Sequence, residues 1–456
     1  MSDANNIAIS KYLADYAEPG NKFTLDSHYQ FSLVVPAHQE SADQVVNIWR
    51  NITPGTSFIV ILVINSDLAE DPESARLAEA ITQGRDHFSP ADDLILATGG
   101  PALANKGPDI LILDRYSKGK NIAPRQGVGL ARKLGTDIAL RLHHQGIIES
   151  GWLFTTDADA TLPADYFAVS PKPSDAALLF PFQHTASVDL ARPVLLYEIN
   201  MLYYAAGLKW AGSPYGYPTV GSTITCSATA YAGVRGYPKR NTGEDFYLLN
   251  KLRKLGDVRP IQHTPIVLEG RLSTRVPIGT GQAIGAISRL RHPMQAYRFD
   301  HPSCFGALRD FQSLIATLAR QLPPRLPSDT GILGQYCRKV RLGERYEKKR
   351  KENPTEAVML KYLHDWFDGL RTRQFIHHFR DQHFGTVSFD ELSLGANRQT
   401  GEPSGSHTAE AHYKSTAEAP YKGTAEAPYI AAFVPPANDL SDMRSKLAGL
   451  IYGSSD

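Results

Sequence analysis

The sequence predicts an α/β protein: an open, mainly parallel sheet flanked by helices, with a helical C-terminal extension. Two observations carry this. Over residues 31–155, short apolar runs rich in branched residues alternate with segments of helical spacing, the pattern of strands joined by crossover helices. Over residues 300–392 those runs give way to charged and amphipathic stretches. The 456 residues, 42% of them apolar, allow about three units of ~150 residues, or one larger α/β domain with additions.

The elements follow in order. "FSLVVPAHQE" (31–40) is a short apolar run closed by Pro36, and its β-branched content favours a buried parallel strand. "SADQVVNIWRNI" spaces Val45, Val46, Trp49 and Ile52 as a helix, with Ser41 as its N-cap. "SFIVILVINS" (57–66) is a second buried strand. "DPESARLAEAITQGRDHF" reads as a helix with Asp71 as cap and Pro72 at its first position. "DDLILATGG" and "DILILDR" are two more strands. "NIAPRQGVGLARKLGTDIALRLHHQG" is a long helical stretch, capped near Asn121 or broken around Gly135, and "GWLFTTD" is another buried strand. Further on, "AALLFPFQH" reads as one strand, "SVDLARPVLLYEINMLYYAAGLKWAG" as a helix that tolerates Pro193 in its first turn, and "TVGSTITCS" as a strand. "NTGEDFYLLNKLRKLG" closes the series as a helix with acidic residues first and Lys254 and Gly256 last. In open sheets of this kind, ligands bind at the carboxyl ends of the strands. Glu40, Asn65–Asp67 and Asp157–Asp159 all follow an apolar run directly.

Net charge is +1, so no global field argues for a nucleic-acid partner. Cys226, Cys304 and Cys337 are far apart and odd in number, as expected of reduced thiols in a cytoplasmic protein. The N-terminus lacks a basic region followed by an apolar stretch, so no signal peptide is expected. No run reaches the ~18 apolar residues that span a bilayer. Three eight-residue units, "HTAEAHYK", "STAEAPYK" and "GTAEAPYI", fall within residues 395–437; without bulky aliphatics they read as a disordered repeat tail. "NDLSDMRSKLAGLIYG" follows as a short terminal helix.

Three segments carry chemistry. In "WLFTTDADATLPADYF" (152–167) a strand delivers Asp157 and Asp159 one residue apart. Oxygen ligands at that spacing suit Mg²⁺ or Mn²⁺, which usually share their shell with substrate phosphates. Alone, the same pair is more often a solvated acidic turn. "SKGKNIAPRQGVGLARKLG" (117–135) sets Lys118, Lys120 and Arg125 before a helix start, a combination suited to a diphosphate or, more plainly, to solvent. Glu244 and Asp245 open a later helix. A carboxylate there can act as general base toward an acceptor hydroxyl, or can simply complement the helix dipole.

Together these segments resemble glycosyltransferase family 2, whose domain is of GT-A type, over roughly residues 30–290. "FSLVVPAHQE" is similar to the family's first strand with its Pro-x-x-x-Glu ending, which implies that Glu40 contacts the nucleotide. "VILVINSDLAE" resembles the second strand, with Asn65 standing where an acidic residue usually meets the base. "GKNIAPRQGVGLA" resembles "GKxxARNxGxxxA", which implies that Lys120 and Arg125 lie near the nucleotide. "FTTDADATLPADYF" is similar to the family's DxD motif, with Asp157 toward the nucleotide sugar and Asp159 on the metal, Mn²⁺ or Mg²⁺. "GEDFYLLNKLRKLG" resembles "EDxxLxxRLxxxG", with Asp245 as candidate base and Glu244 beside it.

The resemblance implies a nucleotide-diphosphate sugar donor, an acceptor hydroxyl of unknown identity, and metal-assisted transfer with inversion. It divides the chain into an N-terminal segment (1–29), a GT-A domain (30–292), a helical extension (293–392), the repeat tail (393–437) and a terminal helix (438–456). "EGRLSTRVPIGTGQAI" (269–284), with Arg271 and Arg275, is either a mobile loop over the diphosphate or a structural connection. His263 or His292 could complete a metal shell. The membrane spans and Gln-x-x-Arg-Trp signature of processive relatives are absent. The basic run Arg338–Lys351 could touch anionic lipid, although Glu344, Glu347 and Glu352 interleave with it and favour a solvated helix. A sugar nucleotidyltransferase is a rival, but the glycine-rich loop it would need after the first strand is missing from "PAHQESADQ". A non-catalytic scaffold binding nucleotide or carbohydrate is the other rival.

Overall fold

The computed structural model describes residues 3–18, 23–68, 70–99, 107–272, 279–320, 331–397 and 433–453. The described residues form two compact units, one drawn from 1–194, 219–288 and 452–456 and the other from 195–218 and 289–451.

The first unit is built on strands β1 (Phe31–Ala37), β2 (Phe58–Asn65), β3 (Asp86–Ala91), β4 (Leu94–Thr98), β5 (Asp109–Arg115), β6 (Trp152–Thr155), β7 (Ala160–Thr161), β8 (Asp175–Leu179), β9 (Phe182–Thr185), β10 (Ile224–Ser227), β11 (Asp257–Pro260) and β12 (Ile266–Glu269). Nine of them form one sheet in the order β11-β8-β10-β6-β1-β2-β5-β4-β3, and β7-β12-β9 form a small second sheet. In the large sheet β4 and β10 run against the others. The sheet is therefore open and mainly parallel, as the sequence predicts. Every residue of β2 is buried, as an apolar run covered on both faces should be. Pro36 is tolerated inside β1 because β6 pairs only with Leu33 and Val34, so the ladder has ended before the missing donor would be needed.

The helices of this unit are α1 (Asp3–Asp15), α2 (Ala42–Asn47), α3 (Pro72–Thr82), α4 (Gly127–His144), α5 (Ala191–Trp210, whose C-terminal part belongs to the second unit), α6 (Ala228–Gly233), α7 (Glu244–Leu252) and α8 (Thr280–Ser288). Ser41 and Gln44 form a full capping box on α2. Asp71 caps α3 by accepting from the backbone N–H groups of Glu73 and Ser74, with Pro72 first in the helix. That helix stops at Thr82, earlier than its spacing suggests, and Gly84 at φ 72° turns the chain into β3. Helix α4 begins at Gly127, not near Asn121, and runs unbroken through Gly135. A Cβ at Gly135 would stand 2.5 Å from Val34 Cγ1 and 2.9 Å from Val63 Cγ2. The glycine thus lets the helix lie against β1 and β2 instead of breaking it. "AALLFPFQH" is two strands in two sheets: β8 ends at Leu179 and β9 starts at Phe182, because Pro181 offers no N–H to continue a ladder.

Helix α1 is pinned to α4 and α6 by buried polar groups. Asp137 accepts from Tyr12 Oη (2.5 Å), Tyr231 Oη (2.9 Å), Lys133 Nζ (2.9 Å) and the Glu18 backbone N–H (2.8 Å).

The second unit is helical, with helices that include Pro302–Ala319, Ile332–Lys339, Leu342–Arg350, Glu356–Trp366, Gly369–Phe379 and Leu440–Tyr452. Its core stacks aromatic rings, with Phe375 and Phe379 centroids 4.3 Å apart and Phe311 and Phe367 4.5 Å apart. In the basic run, Glu347 accepts from Arg350, Glu352 pairs with Lys349, and Arg345 and Lys349 lie over Trp366 and Tyr362. The body of the repeat tail, residues 398–432, lies outside the described residues, while Phe433 and Val434 beyond it are buried. All three cysteines are buried and unpaired. Among the described residues, no helix is long and apolar enough to cross a membrane.

Candidate active site

Strand β1 lies between β2 and β6. The chain steps to one side of β1 for β2 and returns to the other side for β6, so a crevice opens beyond the carboxyl ends of β1 and β6. Glu40 follows β1 through Gln39, which adopts a left-handed φ of 55°. Asp157 and Asp159 follow β6. The two threonines before them have separate structural tasks. Thr155 Oγ1 donates to the Ile224 carbonyl (3.1 Å), and Thr156 Oγ1 donates to the Ser222 carbonyl (3.0 Å). Thr156 ties the turn at Gly221–Thr223 to the end of β6, and Thr155 ties the start of β10 to it.

Two arginines pair with acidic residues of the site, in two separate groups. Arg132 on α4 is 2% exposed. Its Nη2 donates to Asp157 Oδ1, and its Nε donates to Glu244 Oε1 at 3.1 Å. Burial opposes its charge, but Asp157, then Glu244, outweigh burial and hold its pKa above the ordinary value. In the other group Arg271 Nη2 donates to both carboxylate oxygens of Glu40, at 2.8 and 3.0 Å. Arg271 is brought there by the small sheet. Strand β12 runs antiparallel to β7, and the Glu269 N–H donates to the Asp159 carbonyl at 3.3 Å. Arg271 thus follows directly on a sheet-anchored residue; residues 273–278, with Arg275, lie outside the described residues.

The electrostatics follow from this arrangement. Burial raises the Asp159 carboxyl to about 7, with Asp157 and Glu40 adding to the effect and Arg271 opposing it. Burial also raises Glu244 to about 7, with Asp245 adding and Arg132 opposing. Asp245 is raised by burial, against the Phe246 N–H bonded to its carboxylate at 2.7 Å. Five carboxylates (Glu40, Asp157, Asp159, Glu244 and Asp245) thus face two guanidiniums, and the site is short of positive charge.

A loop positions the acidic helix. Gly129 N–H donates to the Arg240 carbonyl at 2.9 Å. A Cβ at Gly129 would lie 2.5 Å from the Pro238 carbonyl oxygen and 2.7 Å from Arg240 N. The close approach of segment 238–241 to α4 needs that glycine. Two residues on, Gly243 at φ 68° starts α7, with no side-chain cap.

Asn65, Lys120 and Arg125 lie at or after the carboxyl ends of β2 and β5. Asn65 ends β2 and is buried, and its carbonyl accepts from His38. Lys120 donates to Asp114 Oδ2 (3.1 Å) and to the Asp92 carbonyl (2.9 Å), so it is already paired. Arg125 is exposed, just before α4. His263 is bonded to the Asp165 carbonyl at 3.1 Å rather than to either site aspartate. His292 precedes a short helix of the second unit.

Among the described residues, no set of three or more His, Cys, Asp or Glu could by itself hold a metal ion. The donor set nevertheless fits one that is completed by substrate phosphates: Asp157 and Asp159 stand one residue apart, and Asp157 is 34% exposed with one oxygen bound to Arg132. Reading the sequence alone misses Arg132. It sits inside "GLARKLG" as one of several basic residues on a helix, and only its burial distinguishes it.

No family model matches the chain, and no curated protein matches it. Among solved structures it is similar to a mannosyltransferase from Pyrobaculum calidifontis in complex with GDP-mannose and Mn²⁺, at 16% identity over 80% of this chain and 96% of that one, with a TM-score of 0.33. It is also similar to the apo bifunctional glycosyltransferase WbbM, at 11% identity over 52% of this chain and 38% of that one, with a TM-score of 0.27. The architecture itself is given by the strand order and register.

Proposed function

We propose that the first unit is a GT-A type, family 2-like glycosyltransferase domain that moves a sugar from a nucleotide-diphosphate donor to an acceptor hydroxyl with inversion. The observation that carries this is the arrangement of carboxylates at the β1–β6 crevice. Buried Arg132 bonds Asp157 through one nitrogen and Glu244 through another, so the Asp157–Asp159 turn and the Glu244–Asp245 helix start meet at one guanidinium.

The two groups suit opposite ends of a donor sugar. Asp157 keeps part of its carboxylate exposed and can hold a sugar hydroxyl. Asp245 is the candidate base, set at the start of α7 with its pKa raised by burial, which makes it a better proton acceptor than a solvated aspartate. Glu40, Asn65, Lys120 and Arg125 line the nucleotide side along the ends of β1, β2 and β5 and the start of α4. Asp159 and Asp157 would hold Mn²⁺ or Mg²⁺. When bound, that ion supplies positive charge for the departing nucleoside diphosphate. Without added positive charge, a diphosphate would meet a site already rich in carboxylates.

Release of nucleoside diphosphate from a panel of UDP-, GDP- and dTDP-sugars, measured with and without acceptor extracts, tests the proposal. One nucleotide class should be turned over by the wild type and not by Asp245→Asn. Equal turnover by both proteins would remove Asp245 from the mechanism, and inertness toward every donor would remove the transferase assignment.

A further inference from the structure

The guanidinium of Arg132 does more than neutralise charge. It is buried between a strand end and a helix start, and it bonds Asp157 through one nitrogen and Glu244 through another. Its third nitrogen, Nη1, is buried with no hydrogen-bond partner among the described residues. An unpaired donor at a buried cation is a cost that folding alone does not require. An apolar side chain of similar length would fill the space without it.

The surroundings fix the group in place. A Cβ on Gly221 would come 2.7 Å from Arg132 Nη2 and 3.6 Å from Asp245 Oδ2. A glycine lets that turn close over the guanidinium, with the candidate base at ordinary contact distance beside it. The turn itself is held by Thr156 from the end of β6. Arg132 therefore connects three pieces that are separate in sequence: the end of β6, the turn at Gly221, and the start of α7.

We propose that Arg132 is a positioning residue that couples the donor end of the site to the acceptor end, setting the α7 carboxylates relative to Asp157. This rests on the assignment of Asp157 to the donor and Asp245 to the acceptor. A lysine cannot replace it, because a point charge lacks the planar fork that serves two carboxylates from two directions.

Two measurements test it. In donor turnover, Arg132→Lys should keep KM for the donor within about threefold while kcat falls by about 100-fold, the signature of lost alignment rather than lost binding. In urea unfolding, Asp157→Asn and Glu244→Gln should be non-additive in the wild-type background and additive once Arg132→Met is introduced. Wild-type kcat in Arg132→Lys, parallel loss of kcat and donor binding, or coupling that survives Arg132→Met would each overturn the proposal. If the wild type is inert toward every nucleotide sugar, the transferase assignment fails, and the unfolding cycle alone still decides whether Arg132 links the two ends.

Discussion

Replacing Gly129 with alanine should damage both stability and turnover, and the structure sets the scale. The added methyl would lie 2.5 Å from the Pro238 carbonyl oxygen and closer still to that of Arg240, whereas ordinary contact begins at 3.4 Å. Neither neighbour is a side-chain tip that can swing away, so α4 and segment 238–241 must separate by about 1 Å. Overpacking of this kind costs about 1–3 kcal/mol. The bond from Gly129 N–H to the Arg240 carbonyl stretches with it, worth about 1 kcal/mol. Alanine returns about 1 kcal/mol through its better helix propensity. The net expectation is a loss of about 1–3 kcal/mol. The functional loss should exceed what stability predicts, because segment 238–241 leads directly into Glu244 and Asp245. A displacement near 1 Å of the candidate base can cost about 100-fold in turnover. Urea denaturation gives the first quantity, and donor turnover under fully folded conditions gives the second. A variant with wild-type midpoint and wild-type kcat would show that the close approach at Gly129 does not position α7.

Three further outcomes are expected. Asp245→Asn should reduce turnover by about 10²–10⁴-fold, the range for a lost general base, while donor binding by calorimetry stays near wild type. Glu244 is protonated more readily in the folded protein than in the unfolded chain, so its contribution is fully present below its ordinary value and is lost as pH rises to about 7. Wild-type stability measured against Glu244→Gln should therefore fall across that window, and parallel curves would contradict the burial assigned to this carboxyl. Tyr12→Phe leaves the buried Asp137 short of one of its four donors and should cost about 1.5–3 kcal/mol in urea unfolding, whereas an unchanged midpoint would mean that α1 is not held by this network.

The sheet was legible because its signal is local. β1, β2, β5 and β6 are each a single apolar run buried on both faces. The DxD turn and the Glu244–Asp245 helix start could be found as residue types at fixed offsets. Features that depend on what lies opposite were not legible. The unbroken path of α4 through Gly135 depends on Val34 and Val63. The split of "AALLFPFQH" depends on which sheet each half joins. Lys120 carries a motif-like position, yet it is paired with Asp114, an interaction between the end of β5 and the segment that follows. Arg132 is the sharpest case. Its neighbours Asp157 and Glu244 are 25 and 112 positions away, and no periodicity marks a helical arginine as buried.

Metal-dependent donor binding is the property on which the assignment of Asp157 and Asp159 turns. Thermal stabilisation by UDP-, GDP- and dTDP-sugars should be measured with and without Mn²⁺, for the wild type and for Asp159→Ala. One nucleotide class should stabilise the wild type only when the metal is present, and that gain should vanish in Asp159→Ala. Stabilisation that is independent of metal, or that survives the substitution unchanged, would contradict the assignment of Asp157 and Asp159 to the donor end of the site.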